Sequence, residues 1–348
     1  MLRIRSCVPA DTAAWDRYVM AHSDGTPFHL TAWKDVVWTS FGHQPHYLLA
    51  EEGHGGAKPW RIVGVLPLFF VLSPLFGRYL SSVPFAEKGG VLADGEGAGQ
   101  RLIQAAADIA RSRGLDYVEL RHSRPVGDLP VKERYVTFRK PLNPDPEKNL
   151  LAIPRKSRRM VRVGMSAGLY SRMGAHLLPT FYDLLAKNYH RLGTPIFSYR
   201  YFRQLRDNFG GSAQIRVVYT REHTPIAGVF SLLYKDIVMP YYAGSLVEYR
   251  HLAPNDFMYF DLMRWACTRG YRWFDFGRSK IGTGSYAFKT HWGFEPTPLA
   301  YQYVLVRSRE IPDLSPANRK YRQKIELWRR LPHWMTRLAG PPVARFLA

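Results

Sequence analysis

The sequence predicts an α/β chain made of two domains of one plan, followed by a basic helical tail. Three observations carry that expectation. First, residues 110–120 (ARSRGLDYVEL) lie over residues 266–276 (ACTRGYRWFDF). Each is a helix end, an Arg-Gly pair, then an apolar strand with one acid, Glu119 or Asp275, at the matching position. Second, residues 62–66 lie over residues 226–230, in the same order and at nearly the same offset, which points to an internal duplication. Third, the proline-rich connector at 141–146 sits mid-chain, and 348 residues suit two domains better than one. The expected divisions are 1–145, 150–307 and a tail at 314–348.

The elements follow in order. Ala14, Trp15, Tyr18, Val19 and Ala21 recur at helical spacing behind Asp11, a fair N-cap. Trp33, Val36 and Val37 share a face of a second helix over 31–39. Strands are expected at 46–51, 61–71, 78–83 and 88–93. Gly53, Gly55 and Gly56 separate the first two as in a hairpin. Leu102, Ile103, Ala106, Ile109 and Ala110 line a helix over 97–113, with Gly114 placed to end it, and a strand over 115–120 follows. Beyond the connector, Arg155, Lys156, Arg158, Arg159 and Arg162 crowd around Met160, Val161 and Val163. That spacing predicts a basic amphipathic helix, whose cations are either solvated or in contact with phosphates. Residues 180–190 read as helix, and 215–219, 226–234 and 237–243 as a strand meander. Asn255 is expected to cap a helix lined by Phe257, Met258, Leu262, Trp265 and Ala266. Alternation of Tyr301, Tyr303 and Leu305 predicts a last strand over 300–306.

A net charge of +21 implies an acidic partner: nucleic acid, anionic lipid, or a phosphorylated or acidic precursor. Cys7 and Cys267 are far apart and form no C-x-x-C pair. They suggest buried thiols in a reducing compartment rather than a zinc ribbon or disulfide framework. The N-terminal residues lack an apolar signal core, and the most apolar run, 62–77, is short and contains Pro67 and Pro74. The expected location is cytoplasmic, with membrane contact peripheral and at the inner face. The sequence has no Walker-type phosphate loop, no H-E-x-x-H and no G-x-S-x-G, so those chemistries are set aside. No cofactor and no metal are expected.

Residues 271–293 (YRWFDFGRSKIGTGSYAFKTHWG) concentrate the chemistry. Trp273, Phe274 and Phe276 predict a strand that Gly277 ends. Gly282 and Gly284 bracket Thr283 in a turn, and Tyr286, Phe288 and Lys289 suit a second strand. Arg278, Lys280 and Lys289 beside a glycine turn read either as an anion or oxyanion site or as solvated cations on a hairpin. The run Asp275-Phe276-Gly277-Arg278-Ser279, with Gly284, Phe288-Lys289 and Trp292-Gly293, resembles the C-terminal signature of the FemAB-type aminoacyl transferases. More narrowly, it resembles the FemAB-related proteins associated with exosortase/PEP-CTERM export systems. Residues 82–94, 117–122 and 327–332 also fit that group. The resemblance implies two tandem GNAT-like (acetyltransferase-fold) domains.

It also implies a reaction. An acceptor amine attacks the ester carbonyl of an aminoacyl-tRNA, and the enzyme steadies the oxyanion. Lys289, with Phe288 shaping the site, matches the family position for that task. Arg250, Asn255 and Tyr259 match the part that meets the donor, with Arg278, Tyr242 and Tyr286 nearby. Phe28, Trp33, Lys34 and Phe41-Gly42 resemble the opening of the family's first domain, where Lys34 would hold the acceptor together with Phe85 and Glu87. The expected function is N-acyl or aminoacyl transfer to an amine of a cell-envelope or exopolysaccharide precursor. The alternatives are an acyl-CoA-dependent N-acyltransferase and a non-catalytic, membrane-docked scaffold. Residues 94–99 and 250–255 are poor CoA pyrophosphate loops, because the first carries Asp94 and Glu96 and the second has Pro254.

The tail has eight Lys or Arg against one acid, Glu326. Ser315-Pro316 forms an N-cap and N1 pair. Tyr321, Ile325, Trp328 and Leu331 share one helical face, Pro332 ends the helix, and Trp334 and Leu338 mark a second short turn. The tail is expected either to lie on an anionic membrane or to pack on the second domain.

Overall fold

The computed structural model describes residues 1–53, 60–74, 76–312 and 319–347. Gly55, Gly56, Ser315-Pro316 and the side chain of Tyr321 lie outside the described residues. The chain forms two compact units. The first comprises 1–135, 298–314 and 345–348, and the second 136–297 and 315–344.

In the first unit the strands Leu2–Ser6, Leu48–Glu52, Arg61–Leu66 and Leu92–Ala93 form one sheet. A second sheet includes Phe69–Ser73, Gly77–Ser81 and Tyr117–His122. The expected strand over 61–71 is therefore two, divided at Pro67, which has no N–H for a ladder. Helix Glu96–Ser112 lays Leu102, Ile103, Ala106 and Ala110 on a core with Leu48, Val63, Leu80, Val118 and Leu120. Gly114, at φ +60°, ends it as expected.

The second unit has one eight-stranded sheet. Its continuous strand Pro225–Tyr234 pairs with Ala213–Tyr219 and Ile237–Ser245, with a register shift at Phe230/Ser231. Helix Pro254–Thr268 buries Phe257, Met258, Leu262 and Ala266 beside Phe274 and Phe276. Each phenylalanine, methionine or leucine side chain taken from water contributes roughly 1.5–3 kcal/mol. Asn255 is not the cap. Ala253, at φ 52°, holds that place without a side-chain hydrogen bond, and Pro254 supplies the first helical residue.

The two strands matched in the sequence occupy the same place in their sheets. Tyr117–His122 runs parallel to Gly77–Ser81 and antiparallel to Ala300–Leu305. Trp273–Asp275 runs parallel to Ile237–Ser245 and antiparallel to Tyr135–Pro141. In each unit the antiparallel partner comes from the other half of the sequence. The strand expected at the end of the second domain thus joins the first unit's sheet, and the residues before the connector join the second's. No described helix is long and apolar enough to cross a membrane.

Candidate active site

The site is built at the end of Trp273–Asp275. Asp275 is buried, and its Oδ1 accepts from the Gly277 N–H at 2.8 Å and from the Thr137 hydroxyl at 3.4 Å. That bond bends the chain through Gly277, whose φ of 67° suits glycine. Ser279–Lys280 is a short strand, and Gly282 (φ 79°) turns the chain again. The stretch expected to continue as a second strand is instead the helix Gly284–His291. Thr283 caps it by accepting from the Tyr286 N–H, and Phe288 and Trp292 meet one turn apart, with ring centroids 5.6 Å apart.

This helix carries Lys289 inward, where it is 8% exposed. Its Nζ donates to the carbonyls of Phe276, Gly277 and Arg278 at 2.7, 2.9 and 3.1 Å. An ammonium has three N–H bonds, and the turn offers it three carbonyl acceptors. Lys289 was expected to aim its charge directly at an oxyanion; here its hydrogen bonds fasten the glycine turn. Phe288 joins an aromatic cluster with Tyr259, Phe276 and Trp292. Tyr286 meets Phe138 edge-on at 5.5 Å.

Arg278 acts electrostatically on Tyr242. Burial pushes the Tyr242 phenol well above its ordinary pKa, while hydrogen bonds with Tyr201 and Tyr241 and, least of these, the charge of Arg278 work in the other direction. Tyr242 shares a 2.9 Å hydrogen bond with Tyr201, a residue the motif reading passed over. Asp256 was passed over as well. It accepts from Trp292 Nε1 at 3.0 Å, and burial raises its pKa against that hydrogen bond. A proline followed by an acid two residues later marks a helix start, and that signal could have singled it out. Through Trp292, Asp256 joins the start of its helix, where Asn255 sits, to the aromatic cluster. Arg250 is exposed on the short helix Val247–Leu252 just before.

The remaining candidates, Lys34, Phe85 and Glu87, belong to the first unit. Phe85, at φ 67°, stacks on Phe41 at 4.0 Å and on His43 at 5.6 Å. Glu87 is buried with Lys88 Nζ 3.4 Å away. Lys34 lies two helical turns before Phe41, with Asp35 3.8 Å from its Nζ. A cavity of about 550 Å³ in this unit is lined by Gly89, Gly90, Gly95, Glu96, His122 and Arg124, among others. It holds the glycine loop before Glu96–Ser112, together with that loop's acid.

Comparisons with known proteins bear on this geometry. The sequence pattern of the acetyltransferase (GNAT) domain matches residues 152–290. No curated protein sequence matches the chain. Among solved structures, the crystal structure of FemX is similar at 16% identity and a TM-score of 0.64, over 86% of this chain and 97% of that one. A tandem GNAT protein from the clavulanic acid biosynthesis pathway is similar at 11% identity and a TM-score of 0.56, over 90% and 100%. L-PGS from Bacillus licheniformis is similar at 12% identity and a TM-score of 0.53, over 97% and 98%. These likenesses establish a tandem GNAT fold. The chain carries an acyltransferase-type domain of that fold, and the glycine turn with Lys289 lies inside it.

Proposed function

We propose that the chain transfers an aminoacyl group from aminoacyl-tRNA to an amine of a cell-envelope or exopolysaccharide precursor. One observation carries the choice of donor: the chemistry of the two helix starts where a GNAT fold would receive a CoA pyrophosphate. Helix Pro254–Thr268 opens with a proline, which has no N–H, and has Asp256 in its first turn. Helix Glu96–Ser112 has Glu96 in its first turn. A carboxylate already at a helix N-terminus complements the dipole and repels a second anion. An ester-linked aminoacyl group needs no such cradle. The resemblance to FemAB-type transferases, and the likeness to FemX, support the same reading.

In the reaction the acceptor nitrogen attacks the ester carbonyl carbon. The tetrahedral intermediate collapses as the ester C–O bond breaks. The ribose hydroxyl leaves, taking up the proton that the nitrogen loses. Lys289 is assigned a positioning role, because it holds the turn that carries Arg278 beside Tyr242. Arg278 is the cation for the oxyanion, and Phe288, Tyr259 and Tyr286 wall the site. Arg250 and Asn255 are assigned to the donor end, and Lys34, Phe85 and Glu87 to the acceptor within the first unit.

The test supplies cell extract as the source of acceptor and measures loss of charged tRNA. Wild type should consume it, and RNase should abolish turnover. Lys289→Met should slow it by about a hundredfold to a thousandfold, the usual loss when oxyanion stabilisation fails. Release of free CoA that is indifferent to RNase would establish the acyl-CoA reading instead. Turnover unchanged by Lys289→Met would remove the site assignment for either donor.

A further inference from the structure

Helix Arg155–Ser166 is amphipathic, and its apolar side is taken up in packing. Val161 is buried in one core with Phe257, and a Cβ on Gly164 would stand 2.7 Å from the Phe257 Cβ. Ser157 donates to the His291 carbonyl at 2.8 Å. The other side carries Arg155, Lys156, Arg159 and Arg162, all exposed. Among the described residues, none of these four side chains has an ion pair or a hydrogen bond. The sequence supplies no counter-charge nearby, since residues 148–182 hold seven Lys or Arg and no acid. The tail's arginines differ. Its helices Arg319–Arg330 and His333–Ala344 pack on helix Leu178–Leu192. There Arg329 donates to the Leu192 carbonyl at 3.3 Å, and Arg337 pairs with Asp183 at 3.1 Å.

The placement of these cations works against the helix. Arg155 and Lys156 open it, and no acid stands in its first turn. The N–H groups there give that end a partial positive charge, so cations beside it are unfavourable. Like charges one turn apart, Arg155 with Arg159 and Arg159 with Arg162, repel as well. At the far end the sign is right, because Arg221 donates to the Ser166 carbonyl at 3.2 Å, where the dipole favours a cation. A helix arranged this way is held by its packing and is stabilised when a line of negative charge lies along it. Arg155 and Arg162 are seven residues apart, about 10 Å along the axis, so the row suits successive phosphates of one strand.

We propose that this face binds the phosphate backbone of RNA. The inference deepens the proposed function and rests on it for the choice of RNA, since an aminoacyl-tRNA donor presents a long phosphate chain beyond its ester end. An anionic bilayer is the competing occupant, and the packing decides against it. A helix that lies in a bilayer turns its apolar side to the acyl chains. Here Val161 and Gly164 are turned to Phe257, and Met165, at the end of the helix, is the one large apolar side chain exposed over residues 155–166. The free side therefore offers charge alone. A second copy of the chain would oppose arginine to arginine. Phosphate contacts hold a nucleic acid without reading its sequence, so bulk tRNA is a sufficient probe.

The experiment titrates the full chain with deacylated bulk tRNA over a range of salt and needs no turnover. Wild type should bind, with log K falling linearly as log salt rises. Arg155→Gln, Arg159→Gln and Arg162→Gln together should lower the affinity about a hundredfold at about 0.1 M salt. They should also reduce the slope by about two to three, the share of three phosphate contacts. Each change alone should cost about fivefold, which keeps the test open if the triple variant folds poorly. The same three positions changed to Lys should retain most of the binding, because the charge is kept. The triple Gln variant should melt no lower than wild type, since the charges removed oppose the helix dipole. Arg200→Gln with Arg203→Gln, at two exposed cations of helix Tyr199–Phe209, should leave binding nearly unchanged. Binding that survives the Gln changes, or that falls as far through Arg200 and Arg203, would overturn the proposal and leave tRNA as the donor. Absent tRNA binding by wild type would overturn both. Sedimentation with vesicles of phosphatidylcholine and phosphatidylglycerol that the triple Gln change abolishes, without tRNA binding, would make a bilayer the occupant.

Discussion

The strands Tyr117–His122 and Trp273–Asp275 hold the same place in their units and end differently. In the first, Glu119 pairs with Arg121 Nε at 2.6 Å and accepts from the Tyr303 hydroxyl at 2.7 Å. Arg121 then reaches the carbonyls of Val83 and Ala86 at 3.1 and 2.7 Å. In the second, the matching acid, Asp275, turns the chain at Gly277, and Lys289 holds the following carbonyls. Both units fasten the loop at a strand end with a buried cation. In the first, the cation is anchored to its strand's own acid, and both are buried. In the second, Asp275 accepts from the Gly277 N–H, Lys289 donates to the carbonyls that follow, and the glycine turn there bears Arg278 and Lys280. The first strand end is held as a lock, and the second carries a shaped turn.

The largest expected effect tests that lock. Arg121→Met strands Glu119 in the interior with its counter-charge gone, and breaking a buried pair typically costs about 3–5 kcal/mol. Arg121→Met combined with Glu119→Gln removes both charges and should be less destabilising than Arg121→Met alone. Urea midpoints of the three proteins measure this. A double variant no better than the single one would show that Arg121 acts through the Val83 and Ala86 carbonyls rather than through Glu119.

Much of this contrast is legible in the sequence, and the rest is hidden for physical reasons. The duplication shows because helix end, Arg-Gly and strand are local features. The exchange of strands between the units does not show, since pairing between residues 119 and 303 is set by packing far along the chain. Lys289 is conspicuous as a cation beside glycines, but its partners are backbone carbonyls, which no side-chain motif displays. Tyr286 and Phe288 alternate like a strand, yet Thr283 offers a helix cap and Phe288 and Trp292 a helical pair, and these prevail. In the tail, one apolar stripe was visible at 321–331. Leu327, Trp334 and Leu338 lie outside that stripe, and their exposure shows only in the folded chain.

The next effect concerns acid. His29, His43 and His122 are buried in the first unit, and burial lowers their pKa values to about 3, about 4 and about 4. Among the described residues, the second unit buries no histidine. A depressed folded pKa means that the unfolded chain takes up protons first. The stabilisation is therefore complete above the unfolded value of about 6.5 and is lost as pH falls toward the folded values. Each histidine then loses roughly 1.4 kcal/mol per pH unit, so at pH 5.5 the three together remove up to about 4 kcal/mol. Hydrogen exchange between pH 7.5 and 5 should show amides of the first unit losing protection before those of the second. Uniform loss across both units would mean that they unfold together, and the comparison would then hold for local architecture but not for stability.

The smallest effect, at Asp275, is the most discriminating, because the same chemical change can be made at both matched positions. Glu119→Gln leaves Arg121 buried beside a neutral amide, and the loss of its counter-charge should cost several kcal/mol, on the scale of about 3–5. Asp275→Asn keeps an oxygen where the Gly277 N–H donates at 2.8 Å. The turn retains its acceptor, and the expected loss is about 1 kcal/mol, the difference between a charged and a neutral acceptor. Asp275→Ala removes the acceptor altogether, leaving a donor unsatisfied at a cost of about 1–3 kcal/mol. Denaturant midpoints of the three variants rank these costs. If Asp275→Asn proves as damaging as Glu119→Gln, then Asp275 serves as a charge rather than as a hydrogen-bond acceptor. The glycine turn would then be locked by electrostatics, as the first unit is, and the distinction between a sealed strand end and a shaped one would fail at the residue on which it rests.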